Sequence, residues 1–331
     1  MVEIPFYRSA ETRGLARPPE YVTAVREGYR QRGTGAPAKP RTVLTSEEPP
    51  GLLTGYLAIL PETGAMGGYT YAAGFGDDDA HFVLPLYDSE SGRPLAVFDG
   101  AHLNPLKTGA TGAVGVDALA REDATTVGLF GSGTQARGQL RATATVRDLD
   151  QVAVYSPTPE HRRTFAAEMD AELDASVVPA ASPANTLEDA DIVITATRSS
   201  EPIFDGERLE PGTHVTAMGQ YHPRRRELDA AAVARATYVP DLRARTEQDA
   251  GAYIRAREEG AIGDDHVHAE LGEIVAGNAA GRTSDEEITI FDSGGTAIET
   301  VAAAHMLYEK ASERDDLGEP ITFAPASEAM D

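Results

Sequence analysis

Between Val127 and Leu140 the chain reads VGLFGSGTQARGQL, and residue types and spacing first suggest chemistry here. Gly131 permits a tight turn after an apolar run, and Gly133 lets the backbone approach a pyrophosphate. Ala136, at the third position of the pattern, is small enough for close helix–strand packing. Amides opening the next helix would meet the phosphate charge, with Ser132, Thr134 and Gln135 completing the cradle. By itself Gly-x-Gly-x-x-Ala also fits a surface turn; the strand before it and the βαβ unit after it favour a dinucleotide. The next strand ends at Tyr155-Ser156-Pro157-Thr158, with no carboxylate for the adenosine ribose until Glu160. Ser156 and Thr158 can bond a ribose or a 2′-phosphate, and Arg162 or Arg163 could balance the latter, so NAD and NADP both stay open. Tyr221 and His222 fall in a turn before Pro223, at the carboxyl edge of a parallel sheet, where ligands bind. Arg224-Arg225-Arg226 is a charge run of the usual solvated kind, conspicuous on an acidic chain. His266 and His268, two apart, do not share a helix face, and no metal site is expected. Asp77-Asp78-Asp79 reads as a solvated loop tip.

These residues need elements to position them. Strands are expected at Thr125–Phe130, Gln151–Ser156, Val177–Pro179, Asp191–Thr197, His214–Met218, Tyr238–Pro240 and Ile288–Asp292, with helical segments between. That alternation implies parallel βαβ units in a doubly wound sheet. Ahead of it, a helix at Glu20–Arg32 precedes strands at Thr42–Leu44, Leu52–Leu60, Tyr69–Ala73, Phe82–Tyr87 and Leu95–Asp99. Small residues at helical spacing follow over Pro105–Ala120, and an amphipathic helix over Thr296–Lys310 comes late. The expected fold is α/β: a Rossmann-type doubly wound parallel sheet plus a mixed α+β domain.

Composition bounds the partners. The 331 residues carry 29 Lys+Arg against 53 Asp+Glu, a formal charge of −24. Such a surface repels nucleic acid and anionic membranes. Only Lys39, Lys107 and Lys310 are lysine, and the acid-rich, lysine-poor balance suggests work in concentrated salt. Zero cysteines exclude disulfides, thiolate metal sites and cysteine nucleophiles. No apolar run approaches the roughly 20 residues that span a bilayer, and the stretch MVEIPFYRSAETRG lacks the basic start and apolar run expected of a signal peptide. A cytoplasmic location is expected.

Further segments occur in order: Arg41 in KPRTVL, GRPLAVFDG ahead of Lys107-Thr108-Gly109-Ala110, the GSGTQA cradle, ADIVITAT, PGTHVTAMG, and AELGEIVAG followed by SDEEITIFDSGGTAIE. Together they resemble the ornithine cyclodeaminase/μ-crystallin family of nicotinamide-dependent enzymes, over roughly residues 1–310. The resemblance implies a substrate-binding and dimerisation domain from 1–121 and 297–331, with a dinucleotide-binding domain at 122–296 between. It also implies a homodimer. By position, Arg41 would bind the substrate carboxylate, and Lys107 replaces a second carboxylate-binding arginine, losing the bidentate fork. Ser156, Thr195, Thr197, Met218 and Gly219 would line the cofactor with Gly131–Ala136. Arg225 falls on a cofactor-side lysine and Ser293 on a serine near the nicotinamide.

Two departures bear on the chemistry. The family's acid–base lysine aligns with Thr70 and its catalytic aspartate with Tyr221. Cyclodeamination needs proton transfers between two hydride steps, whereas reduction of an imine needs one positioned acid, a carboxylate clamp and the cofactor. The favoured reading is an NAD(P)-dependent reductase of α-imino acids, or an amino-acid dehydrogenase such as alanine dehydrogenase, with Tyr221, His222 or a water they orient giving the proton. The alternatives are ornithine cyclodeamination to proline and ammonia, and a nicotinamide-binding protein without catalysis.

Overall fold

The computed structural model describes residues 1–76 and 79–328, so Asp77 and Asp78 of the acidic tip lie outside the described residues. The strands are β1 (Val2–Tyr7), β2 (Thr42–Glu47), β3 (Pro50–Leu60), β4 (Ala65–Ala73), β5 (Val83–Asp88), β6 (Pro94–Asp99), β7 (Thr126–Phe130) and β8 (Gln151–Tyr155). They continue with β9 (Ser176–Pro179), β10 (Ile192–Thr195), β11 (His214–Ala217), β12 (Thr237–Pro240), β13 (Thr289–Asp292) and β14 (Glu319–Phe323). The chain divides into two compact units, Met1–Lys107 with Thr296–Asp331, and Thr108–Gly295. The division falls inside the helix Leu103–Leu119, earlier than the break near residue 122 expected from the sequence.

The first unit is a mixed sheet in the order β14-β1-β6-β5-β4-β3-β2, antiparallel except where β1 lies parallel to β6. Period-two alternation sorts its faces. Tyr56, Ala58 and Leu60 of β3 are buried beside Tyr69 and Tyr71 of β4. Two helices cover this face. Pro18–Gly33 opens with proline and Glu20, whose carboxylate accepts the Arg17 N–H at 2.8 Å, and it buries Tyr21, Val25 and Tyr29. Ala297–Ser312 buries Ile298, Val301, Ala304 and Leu307. The opposite face stays open, with Leu44, Leu53, Leu57, Ile59, Val83 and Tyr87 exposed. Strands β1 and β14, which the sequence reading did not anticipate, close the other end of the sheet.

The second unit is a fully parallel sheet in the order β12-β13-β11-β10-β7-β8-β9. Every residue of β10 and β13 is buried, as expected of parallel strands covered on both faces. Leu129, Val152, Ile192, Leu140 and Phe165 fill one side, and Phe130, Val193, Val215, Tyr238 and Tyr253 the other. Strand order reverses between β7 and β10, which makes the cleft beyond their carboxyl ends the topological switch point. Among the described residues no helix is long and apolar enough to cross a membrane.

Candidate active site

In the parallel unit, β7 ends at Phe130 and the chain turns through Gly131 at φ +117°, a conformation that favours glycine. A Cβ there would also lie 2.4 Å from the Ala196 carbonyl oxygen, so the turn rests against the end of β10. Gly133 is the N-cap of the helix Thr134–Thr143 and provides no side-chain cap, which leaves the first amides of that helix available to a ligand. A Cβ on Gly133 would meet no atom within 4 Å and would project into that open space. Thr134 is exposed, Ser132 and Gln135 are half-buried, and Ala136 is fully buried under the helix. Arg137 donates to the Ser132 carbonyl at 2.8 Å and steadies the turn. These features fit a pyrophosphate.

At the end of β8, Ser156 is buried and its hydroxyl donates to the Thr158 carbonyl at 3.2 Å. Thr158 is exposed. Arg162 lies over the Tyr155 ring, 5.3 Å from its centroid, and donates to the Ser156 carbonyl at 3.0 Å. The two strands across the switch point converge on a residue the sequence reading missed. Glu227, 3% exposed, accepts from the Thr195 hydroxyl at 3.0 Å, from the Thr197 N–H and hydroxyl at 2.7 and 2.6 Å, and from the Gly219 N–H at 2.8 Å. Burial raises its pKa above the ordinary carboxylate value, against the pull of those four donors. Thr195 is fully buried behind Thr197, which is half-buried; Met218 is 8% exposed.

Tyr221 and His222 follow on an exposed turn beyond β11, with Tyr221 45% exposed. His222 Nδ1 accepts the Arg224 N–H at 3.1 Å, so a neutral ring carries its proton on Nε2. Partial burial and the neighbouring Arg225 and Arg224 lower its pKa below the ordinary histidine value. Arg225 is exposed, whereas Arg226 pairs with Glu259 at 2.8 Å. Ser293 is buried just after β13, and its N–H donates to the Ala217 carbonyl at 2.8 Å. The adjacent turn is pinned by Asp241, which accepts the Gly294 and Gly295 amides at 2.8 and 2.9 Å. Fully buried Arg245 joins Asp241, Asp249 and Asp292 around it. Among the described residues no group of three acidic or histidine side chains is arranged to hold a metal.

The mixed unit holds the other charged centre. Lys107, 1% exposed, forms an ion pair with buried Glu299 at 3.1 Å. Glu299 also accepts the Thr296 N–H at 2.6 Å and the Tyr29 hydroxyl at 3.3 Å. Lys107 Nζ lies 5.6 Å from the Tyr56 ring centroid and 5.4 Å from that of Tyr69. The Arg41 guanidinium, also buried, lies 5.5 Å from the Tyr56 centroid. Burial opposes the Lys107 charge, but Tyr56 and Glu299 outweigh it and hold its pKa above the ordinary lysine value. Arg41, Lys107 and Glu299 thus share one buried, charged neighbourhood around the Tyr56 ring. Thr70 is not part of this group: it is exposed, and alternation along β4 turns it to the face opposite Tyr69. Tyr56, Tyr69 and Glu299 are members that sequence reasoning missed.

Comparison with known proteins identifies the family. The model of the Ornithine cyclodeaminase/mu-crystallin family matches residues 9–315. A Delta(1)-pyrroline-2-carboxylate reductase of Bacillus cereus is 37% identical, with 73% of this chain and 74% of that protein aligned. The Thermococcus litoralis Delta(1)-pyrroline-2-carboxylate reductase, solved with NADH and L-proline, is 31% identical with a TM-score of 0.90, covering 96% of this chain and 99% of that one. An archaeal alanine dehydrogenase dimer with bound NAD is 33% identical with a TM-score of 0.89, over 98% of this chain and 100% of that one. With the match spanning both units, the chain belongs to the ornithine cyclodeaminase/mu-crystallin family.

Proposed function

We propose that this protein is a nicotinamide-dependent oxidoreductase that reduces the C=N group of an α-imino acid, or runs the same step in reverse as an amino-acid dehydrogenase. The observation that carries it is one chain holding both an uncapped glycine turn at Gly131–Ala136 that fits a phosphate and a buried group of charged side chains, Arg41, Lys107 and Glu299, gathered around Tyr56. When bound, the nicotinamide supplies the hydride. Gly131, Ser132, Gly133, Thr134, Gln135 and Ala136 would hold its pyrophosphate, with Ser156 and Thr158 toward the adenosine. Thr197, Met218, Gly219, Arg225 and Ser293 would line the nicotinamide half, and Thr195 would support them from behind. NAD and NADP both remain candidates.

Arg41 is the residue we assign to the substrate carboxylate, and Lys107, fixed by Glu299, adds charge rather than a mobile hook. For the proton we favour Tyr221, whose phenol offers an O–H donor on the turn beyond β11. His222, whose pKa is lowered and whose Nδ1 is engaged, suits orienting a water better than donating a proton. Thr70, exposed and on the opposite face from Tyr69, offers no replacement for an acid–base lysine, which weighs against cyclodeamination.

The relatives' substrates, a cyclic imino acid and the imine related to alanine, are the compounds to try first. Arg41→Ala should raise KM at least tenfold with little change in kcat, and Tyr221→Phe should lower kcat by about 10²-fold. Unchanged turnover in Tyr221→Phe would move the proton to His222 or solvent. Conversion of ornithine to proline and ammonia with no net cofactor use would overturn the reductase reading.

A homodimer through the mixed unit is part of this reading, supported by the exposed apolar face of β2–β5, where Leu57 is 67% and Leu44 62% exposed. The acid-rich, lysine-poor composition supports work in concentrated salt. A cytoplasmic location, checked by fractionation, accords with the nicotinamide pool such a reaction draws on.

A further inference from the structure

We propose that Glu227 is the positioning residue of the nicotinamide side of the cleft: one buried carboxylate gathers the ends of β10 and β11 and so fixes the surface that half of the cofactor meets. The proposal rests on the dinucleotide reading above. Glu227 lies where the chain returns from the turn carrying Tyr221 and His222, and its own carbonyl accepts the Ile203 N–H at 2.9 Å. Its Oε1 takes both the N–H and the hydroxyl of Thr197, and its Oε2 takes the Thr195 hydroxyl and the Gly219 N–H. Four donors therefore occupy the two oxygens, and the two amides among them cannot reverse to accept.

Three consequences follow from that arrangement. First, Thr195 and Thr197 flank Ala196, so the carboxylate holds the chain on both sides of the point where β10 ends. Second, position 219 has no room for a side chain: a Cβ would lie 2.5 Å from both Glu227 oxygens and 2.4 Å from the Thr197 carbonyl oxygen. Third, the Thr197 hydroxyl has a set polarity. It donates to Glu227 and accepts the Ser199 N–H at 3.1 Å, which leaves one further lone pair on a side chain that is only half-buried. Thr197 is thereby an acceptor for a donor on the nicotinamide riboside, such as a ribose hydroxyl or the carboxamide NH2. Without the carboxylate the hydroxyl is free to turn, and two part-buried amides lose their acceptor.

The test separates the two halves of the cofactor. NADH is titrated through its own fluorescence, and ADP, which engages only the cradle and the end of β8, is titrated by calorimetry. Glu227→Gln, which presents an NH2 to donors, should weaken NADH at least tenfold and leave ADP within twofold. Thr197→Val, a milder change should the first variant fold poorly, should weaken NADH several-fold with ADP unchanged, and Thr197→Ser should restore it. Parallel loss of NADH and ADP in folded Glu227→Gln would reduce the residue to general scaffolding and overturn the proposal. Unchanged NADH affinity would overturn it too. Failure of the unaltered protein to bind either ligand would instead remove the dinucleotide reading on which it stands.

Discussion

Gly133 is the residue proposed to let the pyrophosphate reach the helix amides, and its environment makes it a clean test. Its backbone, at φ −87° and ψ −173°, is extended, so a β-branched residue fits without strain. Nothing lies within 4 Å of its would-be Cβ, so Gly133→Val fills ligand space rather than protein space. The loss of a favourable N-cap costs about 1 kcal/mol. NADH binding, followed by its fluorescence, should fall by about 10²-fold while the melting temperature moves only a few degrees; undiminished binding would remove the phosphate from this turn. Some local geometry was readable in the sequence and some was not. The turn at Gly131 and the helix start after Gly133 were, because these glycines serve backbone geometry within six residues. The face of Thr70 was not, because an alignment places a residue along a strand without saying which way it points, and in the structure it is Tyr69 that meets Lys107. Glu227 was invisible because its partners lie up to 32 residues away and no local spacing encodes that convergence.

At the scale of elements, the parallel strands were legible because burial on both faces makes them short apolar runs. Strands β1 and β14 were not, since VEIPFY and EPITF each contain a proline, and Pro5 pairs in register with Pro320. Strand β11 carries an exception to the apolar rule that makes a pH prediction. His214 is fully buried, its ring nitrogens within 2.9 and 3.0 Å of the Thr289 and Thr216 hydroxyls. Burial, then Arg282 and Arg147, pushes its pKa down to about 3. Above the unfolded value near 6.5 neither state is protonated there, and the group has no effect on stability. Below it the unfolded chain binds a proton that the native chain refuses. The fold then loses up to about 1.4 kcal/mol per pH unit from this group until the native ring titrates. Denaturant midpoints between pH 6 and 4 should therefore fall less steeply in His214→Gln than in the unaltered protein. Equal slopes would mean that β11 accommodates the charge.

At the scale of the whole molecule, salt acts on two opposed terms. Ion pairs such as Arg141–Glu172 at 2.6 Å are partly exposed, and each contributes 0–1 kcal/mol that screening reduces. Against them stands the surplus of 53 acidic over 29 basic side chains, whose mutual repulsion is relieved as the Debye length falls from about 10 Å at 0.1 M to 3 Å at 1 M. Most arginines already have acidic partners, so the acids in excess have none to lose, and relief of repulsion should dominate. The same screening should let two copies bring their apolar faces together, because the charge that keeps them apart falls while the exposed Leu44, Leu53 and Leu57 remain to be covered. We therefore expect the melting temperature to rise by more than 10 °C from dilute buffer to ~1 M KCl, with light scattering moving from monomer toward dimer over the same range. Sucrose at equal osmolality stabilises compact states without screening, so it should raise the melting temperature less and leave the dilute-buffer monomer unassociated. A melting temperature flat in KCl would remove the high-salt reading. A monomer at every salt concentration would leave the open face of the mixed sheet without the second copy proposed to cover it.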